Sequence, residues 1–345
     1  MSPRADVAVV GAGIVGLSIA FHLSERGASV TVFDRAGIGA GASGLQPGGV
    51  RQQWGTTTNC LLVQESLGFY ADAVERLRMH VDPGFRACGY LFLAHSDAAM
   101  ARLRENVALQ NGLGVPSRVV SPAEAADLVP DLDAAGVMGG SWCGEDGYFD
   151  RPQALVEAFG ALVDVELAEI VHVDDVEADA VVVAAGVDSA RLLPELPIGA
   201  EPRSLFFSDP IRERLLEPLV VSAERGLAAK QLADGRLLAS DLLGGSRAGV
   251  RAGFEELLPR LVYVALPMLV EGLYDVTPDH QPILGQVRDR VWVAAGFSGR
   301  GFMQAPAIGR ILAESVLGAG NDPALRVFDG GRFAEGRLVP EPSVV

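Results

Sequence analysis

The chain has 345 residues, 49% hydrophobic and 21% charged, enough for one large domain or two closely joined ones. A net charge of −16 and a pI near 4.7 exclude a basic nucleic-acid footprint, and an anionic membrane surface would repel the chain. Cys60, Cys88 and Cys143 lie far apart, no C-x-x-C pair occurs and the five histidines are scattered; no structural zinc and a reducing, cytoplasmic setting are expected.

Val7 to Val10 is a short, continuous apolar run of the kind buried in a parallel sheet. Gly11-Ala-Gly-Ile-Val-Gly16 follows. Leu17, Ala20, Phe21 and Leu23 then carry helical spacing up to Arg26, and Gly27 stops that helix. Ser29 to Phe33 reads as a second strand with Asp34 at its end. The apolar stretch from Val7 to Leu23 contains glycines at nucleotide-loop spacing and runs straight into this strand, so it is not read as a signal peptide. No other run is long and apolar enough to span a bilayer, and membrane insertion is not expected.

Further on, residues 59–80 read as a helix with Leu61, Leu62, Leu67, Phe69, Val74 and Leu77 on its apolar side. Tyr90 to Ala94 reads as a strand, 97–111 and 122–128 as helices, and Pro152 to Val163 as a helix with proline in its first turn. Ala180 to Ala185 is a buried strand ending in Gly186. Segments 204–209, 219–222, 226–232 and 235–241 read as antiparallel strands with a turn at Asp234-Gly235, and Val262 to Tyr274 as a further strand or pair. Val291 to Ala295 is a buried strand, Gly296 to Gly301 a glycine-rich loop, 304–318 a helix, and the remainder a tail.

Parallel-type strands therefore occur at the start, middle and end, with antiparallel ones between. This pattern predicts an α/β chain with a Rossmann-type nucleotide domain in three pieces, 1–82, 143–199 and 279–345. A mostly antiparallel α+β substrate domain is inserted as 83–142 and 200–278.

Gly11, Gly13 and Gly16 carry the first chemical signal. The first permits a tight turn, the second lets backbone approach a pyrophosphate, and the third lets helix and strand pack closely. The helix start at Ile14 and Val15 offers free N–H groups and a positive dipole end to phosphate. Asp34, beside Arg35, stands roughly 20 residues on at a strand end, where an acid accepts from ribose hydroxyls. The alternative is a glycine-rich turn between core elements. The fingerprint does not separate NAD from FAD.

Four stretches do more. They are VAVVGAGIVGLSIAFHLSERGASVTVFDR, GAGASGLQPGGVRQQW, ADAVVVAAG and YDVTPDHQPILG…VWVAAGFSGRGFMQAP. Together and in this order they resemble the FAD-dependent amine and amino-acid oxidoreductases: glycine oxidase, the sarcosine oxidases, D-amino-acid oxidase and related dehydrogenases. The resemblance implies FAD and a fold covering nearly the whole chain. It runs the second stretch from phosphates to isoalloxazine, with Ser43 as a hydroxyl donor and Gly48 and Gly49 for close approach. It directs the helix start near Gly296, Gly299, Arg300, Gly301, Phe302 and Met303 at the flavin, and adds Gly186 to the cofactor set.

The resemblance also implies substrate-side residues. Arg51 takes the position at which sarcosine oxidases hold a carboxylate with arginine; a guanidinium fork matches two carboxylate oxygens. The alternative is an arginine paired with a structural carboxylate. Met303 stands where monomeric sarcosine oxidases carry a lysine, and Arg300 could compensate. Gly272 stands at the flavin-linking cysteine, so FAD is expected to be non-covalent. His280 is a candidate for proton handling, although a lone histidine is more often structural. Trp54 and Tyr90 suit a pocket wall, with core packing favoured for each. The lysine that oxidases place near flavin N5 corresponds to Leu237. Lys230, the chain's sole lysine, is the substitute candidate, against a solvated strand lysine. The segment between Val163 and Val181 has room for one short hairpin where the family fits a three-stranded meander.

The activity so implied is oxidation of the C–N bond of an amino acid or secondary amine by hydride transfer to FAD, giving an imine that water hydrolyses. A dehydrogenase or slow oxidase is favoured. Two alternatives stay open: a flavin-binding subunit or assembly factor without turnover, and an NAD-dependent dehydrogenase. The expected partners are a small amine or amino acid and, as an open possibility, other subunits in a homo- or hetero-oligomer.

Overall fold

The computed structural model describes residues 5–341. One sheet has six strands in the order Ile283–Arg288, Val291–Ala295, Ala178–Val183, Ala5–Val10, Val30–Asp34 and Asp164–Leu167. Neighbours are parallel except the outermost pair at the Ile283 edge. Its central strands are nearly all valine and alanine because both faces are covered. Val7, Val9, Ala180 and Val182 pack with the helices Ile14–Glu25 and Gly301–Val316, while Ala8, Val10, Val181 and Val183 pack with Leu192 and Leu193. The two helices touch through Gly309, where a Cβ would lie 2.3 Å from Ser18 Oγ.

The second sheet has eight strands in the order Met268–Val276, Gly199–Phe207, Leu237–Asp241, Leu227–Gln231, Leu219–Ser222, Tyr90–Ala94, Gly139–Cys143 and Arg118–Val120. It is antiparallel apart from the parallel pair Leu219–Ser222 and Tyr90–Ala94. Side chains alternate along its strands. Leu227, Ala229, Leu237 and Ala239 face the helix Arg247–Leu257. Ala228, Lys230, Leu238 and Ser240 face the opposite way, into a cavity. A small third sheet joins Gly49–Val50, Gly147–Phe149 and Phe85–Arg86.

Several sequence expectations are corrected. The helix expected over 59–80 is Thr57–Ala71 followed by the short Ala73–Arg76. The strand expected from Val262 begins at Met268, after a turn at Pro259–Leu261. No hairpin follows the helix Pro152–Gly160; Asp164–Leu167 instead extends the parallel sheet beside Val30–Asp34. The last long helix starts at Gly301, not near 304, which moves Pro306 from the first turn into the helix. Pro306 has no N–H to offer the carbonyl of Phe302. The Tyr70 hydroxyl donates to that oxygen instead, at 2.6 Å, so the interior proline leaves no orphaned acceptor.

Among the described residues, no helix is long and apolar enough to cross a membrane and no group of His, Cys, Asp or Glu is placed to hold a metal ion.

Candidate active site

The carboxyl ends of the parallel strands and the open face of the eight-stranded sheet enclose a cavity of about 650 Å³. Ligands of open α/β sheets bind at such strand ends.

One end of the cavity carries features that suit a dinucleotide. Gly11 has φ +114°, and a Cβ there would lie 2.4 Å from the carbonyl oxygen of Ala184. A Cβ on Gly16 would lie 2.0 Å from the Gly11 oxygen, so Gly16 serves the helix–strand contact and does not line the cavity. Gly13, Ile14 and Val15 do line it. Ser43 Oγ accepts from the Ile14 N–H at 2.9 Å, which places its own O–H at the helix start. Asp34 sits in the wall and accepts from the N–H groups of Ala12, Ala36 and Gly37 at 2.8, 2.8 and 3.0 Å, which fixes its carboxylate. Arg35 pairs with Asp188 at 2.8 Å at the same end, beside Gly186. A glycine cradle, a helix start and a fixed acid suit the pyrophosphate and ribose of FAD.

At the other end, the loop before Gly301 is tightly determined. Gly296, Ser298 and Gly299 all have positive φ, and Ser298 is held there by its N–H bond to the Asp275 carbonyl at 2.8 Å. A Cβ on Gly299 would lie 2.4 Å from the Tyr274 ring. Asp275 accepts from the Gly296 N–H at 2.6 Å, and burial pushes its carboxyl up to about 6. This loop delivers Arg300, Gly301, Phe302 and Met303 to the cavity wall, at the N-terminus of a 16-residue helix. Its first N–H groups and dipole end favour negative charge.

Arg51 and Arg300 both approach Trp54 here. Both are buried, both line the cavity, and their guanidinium carbons lie 3.6 and 5.3 Å from the Trp54 ring centre. Burial draws each arginine down to about 10, and each still carries its charge at neutral pH. Arg51 donates to the Gln53 carbonyl at 2.8 Å, and Trp54 Nε1 donates to the Arg51 carbonyl at 2.8 Å. Arg300 donates to the carbonyls of Phe297 and His280. Its Nη1 is buried without a partner among the described residues.

Other expected residues fall elsewhere. His280 does not line the cavity: its carbonyl serves Arg300, its φ is +55°, and its buried Nδ1 has no partner among the described residues. This removes it as a proton-handling group at the cavity. Gly48 and Gly296 lie behind the wall; a Cβ at Gly48 would lie 2.7 Å from the Phe149 oxygen. Gly49 lines the cavity, close under the Tyr90 hydroxyl. Tyr90 and Trp54 are wall residues rather than core packing alone. Leu237 points into the helix-covered core, so Leu238, one residue on, is the cavity-facing position of that strand. Directly opposite Leu238 stands Lys230, fully buried, its Nζ donating to the Pro47 carbonyl at 3.0 Å and lying 4.1 Å from the Tyr148 ring centre. Desolvation brings it down to about 7.

Sequence reasoning missed Asp146 and Glu341. Asp146, fully buried, accepts from the Gln52 N–H at 2.7 Å and Gln53 Nε2 at 3.0 Å, behind Arg51; burial raises its carboxyl to about 6. The run Gly-Glu-Asp-Gly at 144–147 carried only a turn signal.

The family model for FAD dependent oxidoreductases of the DAO type matches residues 6–315. Glycine oxidase of Geobacillus kaustophilus is 26% identical, over 92% of this chain and 94% of its own length. Sarcosine oxidase subunit beta of Rhodobacter capsulatus is 26% identical, over 98% and 91%. The crystal structure of L-proline dehydrogenase from P. horikoshii superposes with a TM-score of 0.89 at 26% identity, covering 98% of this chain and 100% of that one. With a match over most of its length and a cavity shaped for the dinucleotide, the chain belongs to the DAO family of FAD-dependent oxidoreductases.

Proposed function

We propose that this enzyme oxidises the C–N bond of a small amino acid or secondary amine that carries a carboxylate. The observation behind this reading is the buried pair Arg51 and Arg300, both facing the cavity and sharing Trp54. Two buried guanidiniums in the cavity wall attract an anion more strongly than exposed ones would. A planar fork suits a carboxylate. The names of the glycine oxidase, sarcosine oxidase and proline dehydrogenase relatives are consistent with such a substrate.

Bound FAD would accept the hydrogen on the carbon next to nitrogen as a hydride. The chain's part is to bind, orient and keep dry. Arg51 and Arg300 fix the carboxylate, which limits the rotations left to the substrate. The Gly301, Phe302 and Met303 end of the last long helix supports negative charge at the cavity's edge. Leu238, Val221 and Tyr90 form the apolar wall that excludes water. No cavity residue is assigned as an obligatory base, because an amine that enters neutral needs none.

The reading is tested by the products. An N-methyl amino acid turned over by the enzyme should yield a carbonyl compound and the demethylated or cleaved amine in equal amounts, matched to electrons delivered. A product that keeps every C–N bond of the substrate would refute it. The relative named as subunit beta supports assembly with further subunits, which a mass measurement in solution checks.

A further inference from the structure

The two arginines are not held only by the segments that carry them. Glu341, in the chain beyond the last helix, is 6% exposed and turns inward. Its carboxylate accepts from the Gly55 N–H at 2.8 Å, from Thr56 Oγ1 at 2.9 Å and from Asn59 Nδ2 at 2.7 Å. Gly55 and Thr56 follow Trp54 directly, and Asn59 lies in the first turn of the helix Thr57–Ala71. Its charge acts favourably on both Arg51 and Arg300.

The approach to this position is itself secured. Arg332 and Asp279, both fully buried, form a two-pronged pair at 2.8 and 2.9 Å. Asp279 also accepts from the Val339 N–H at 3.3 Å, two residues before Glu341. Asn59 is tied in turn to Gln281 at 3.1 Å and to Gln304 at 2.9 Å. Gln304 lies one residue past Met303 on the helix that borders the cavity. One polar network therefore joins the loop of Asp279, the helix after Arg300, the segment after Trp54 and the C-terminal tail.

We infer that Glu341 is a positioning residue for substrate carboxylate binding: it fixes the Gly55–Asn59 turn that follows Trp54, and through it the indole that both Arg51 and Arg300 approach. The inference rests on the carboxylate reading above. Without Glu341 the Gly55 N–H and Asn59 amide lose a buried partner. Carboxylate recognition by paired forks tolerates only small displacements. The loss of alignment outweighs the gain in positive potential that removing an acid brings, because bidentate bonds weaken steeply with angle.

The probe is acetate, which carries the carboxylate without an oxidisable amine. Its dissociation constant is read from the perturbation of the bound flavin's visible spectrum in holoenzyme. Glu341→Ala should weaken acetate at least tenfold at unchanged flavin content, and for any substrate turned over should raise KM more than it lowers kcat. Glu341→Gln, which keeps an acceptor for the turn, should fall between Ala and wild type, and decides the matter if the alanine variant does not fold. Glu335→Gln, at an exposed tail position, is the control. Acetate bound as tightly as in wild type, or more tightly, by both Glu341 variants would overturn the inference. If acetate leaves the wild-type flavin spectrum unchanged even at saturating concentration, the carboxylate reading fails first and this inference with it.

Discussion

The guanidinium carbon of Arg51 lies over the indole of Trp54, 3.6 Å from the ring centre, while the indole N–H returns a bond to the Arg51 carbonyl at 2.8 Å. The two residues thus lock each other. The stack holds the charge at a fixed place in the cavity wall, where a side chain of such length would otherwise sample many rotamers.

On the carboxylate reading proposed above, replacing Arg51 removes a preformed partner. Arg51→Leu should weaken carboxylate-bearing substrates by roughly 2–5 kcal/mol while the flavin spectrum stays normal. Arg51→Lys should recover only part, because an ammonium neither forks nor stacks in the same way. Steady-state kinetics on a substrate and its decarboxylated analogue check this; equal losses on both would assign Arg51 to the scaffold.

The flavin should be held without a covalent bond. Gly272 lines the cavity where a linking cysteine would be needed, and the nearest atom to a Cβ there is Leu45 Cδ1 at 3.4 Å. All three cysteines are elsewhere: Cys60 and Cys143 are buried and Cys88 is partly covered in the eight-stranded half. Acid precipitation should release the yellow colour into the supernatant. A yellow pellet after washing would contradict the assignment.

Much of the nucleotide half was legible because its signals are local. The valine-rich strands, the spacing of Gly11, Gly13 and Gly16, and Asp34 at the next strand end each follow from near neighbours in the chain. The end of the cavity around Arg51 and Arg300 was only half legible. Arg51 and Arg300 could be proposed one at a time, but their joint approach to Trp54 depends on a contact across some 250 residues of sequence. Asp146 carries only a turn signal and Glu341 none; their meaning lies in backbone and side-chain donors supplied by distant segments. Leu237 faces the helix-covered core and Leu238, one residue on, the cavity, because in a strand one residue reverses the face.

Tyr70 is a structural test of a different kind. Its hydroxyl serves the Phe302 carbonyl that Pro306 leaves without a helical donor, and its burial pushes the phenol's pKa far above its ordinary value. Tyr70→Phe should cost about 1–3 kcal/mol, the penalty of an unsatisfied buried acceptor. Thermal unfolding of the holoenzyme measures it. A midpoint unchanged from wild type would mean that the carbonyl finds another donor.

Lys230 makes a pH prediction. Folding lowers its ammonium from 10.5 to about 7, by desolvation. Between those values the unfolded chain binds more protons than the folded one, so this group makes stability rise with pH across that window. Below about 7 both states are protonated and the burial cost is felt in full. Lys230→Met should therefore gain most over wild type at pH 7 and below, and lose the advantage toward pH 10, by on the order of a few kcal/mol in all. Melting curves of substrate-free enzyme across this range decide it; parallel curves would show an ammonium that titrates as in water. The same variant tests the oxygen chemistry: fast reoxidation of reduced wild type by oxygen would contradict the dehydrogenase reading, and a rate that survives the change would separate Lys230 from it.

The most direct measurement of the central claim is anaerobic reduction of the bound flavin. Wild-type holoenzyme is mixed in a stopped-flow instrument with glycine, sarcosine, L-proline, other amino acids and N-methyl amines, and each amino acid is paired with its decarboxylated counterpart. The account predicts that the visible flavin band bleaches with at least one amino acid or N-methyl amino acid, and far more slowly with its decarboxylated partner. A flavin that stays oxidised across the whole panel, yet is reduced by dithionite, would contradict it.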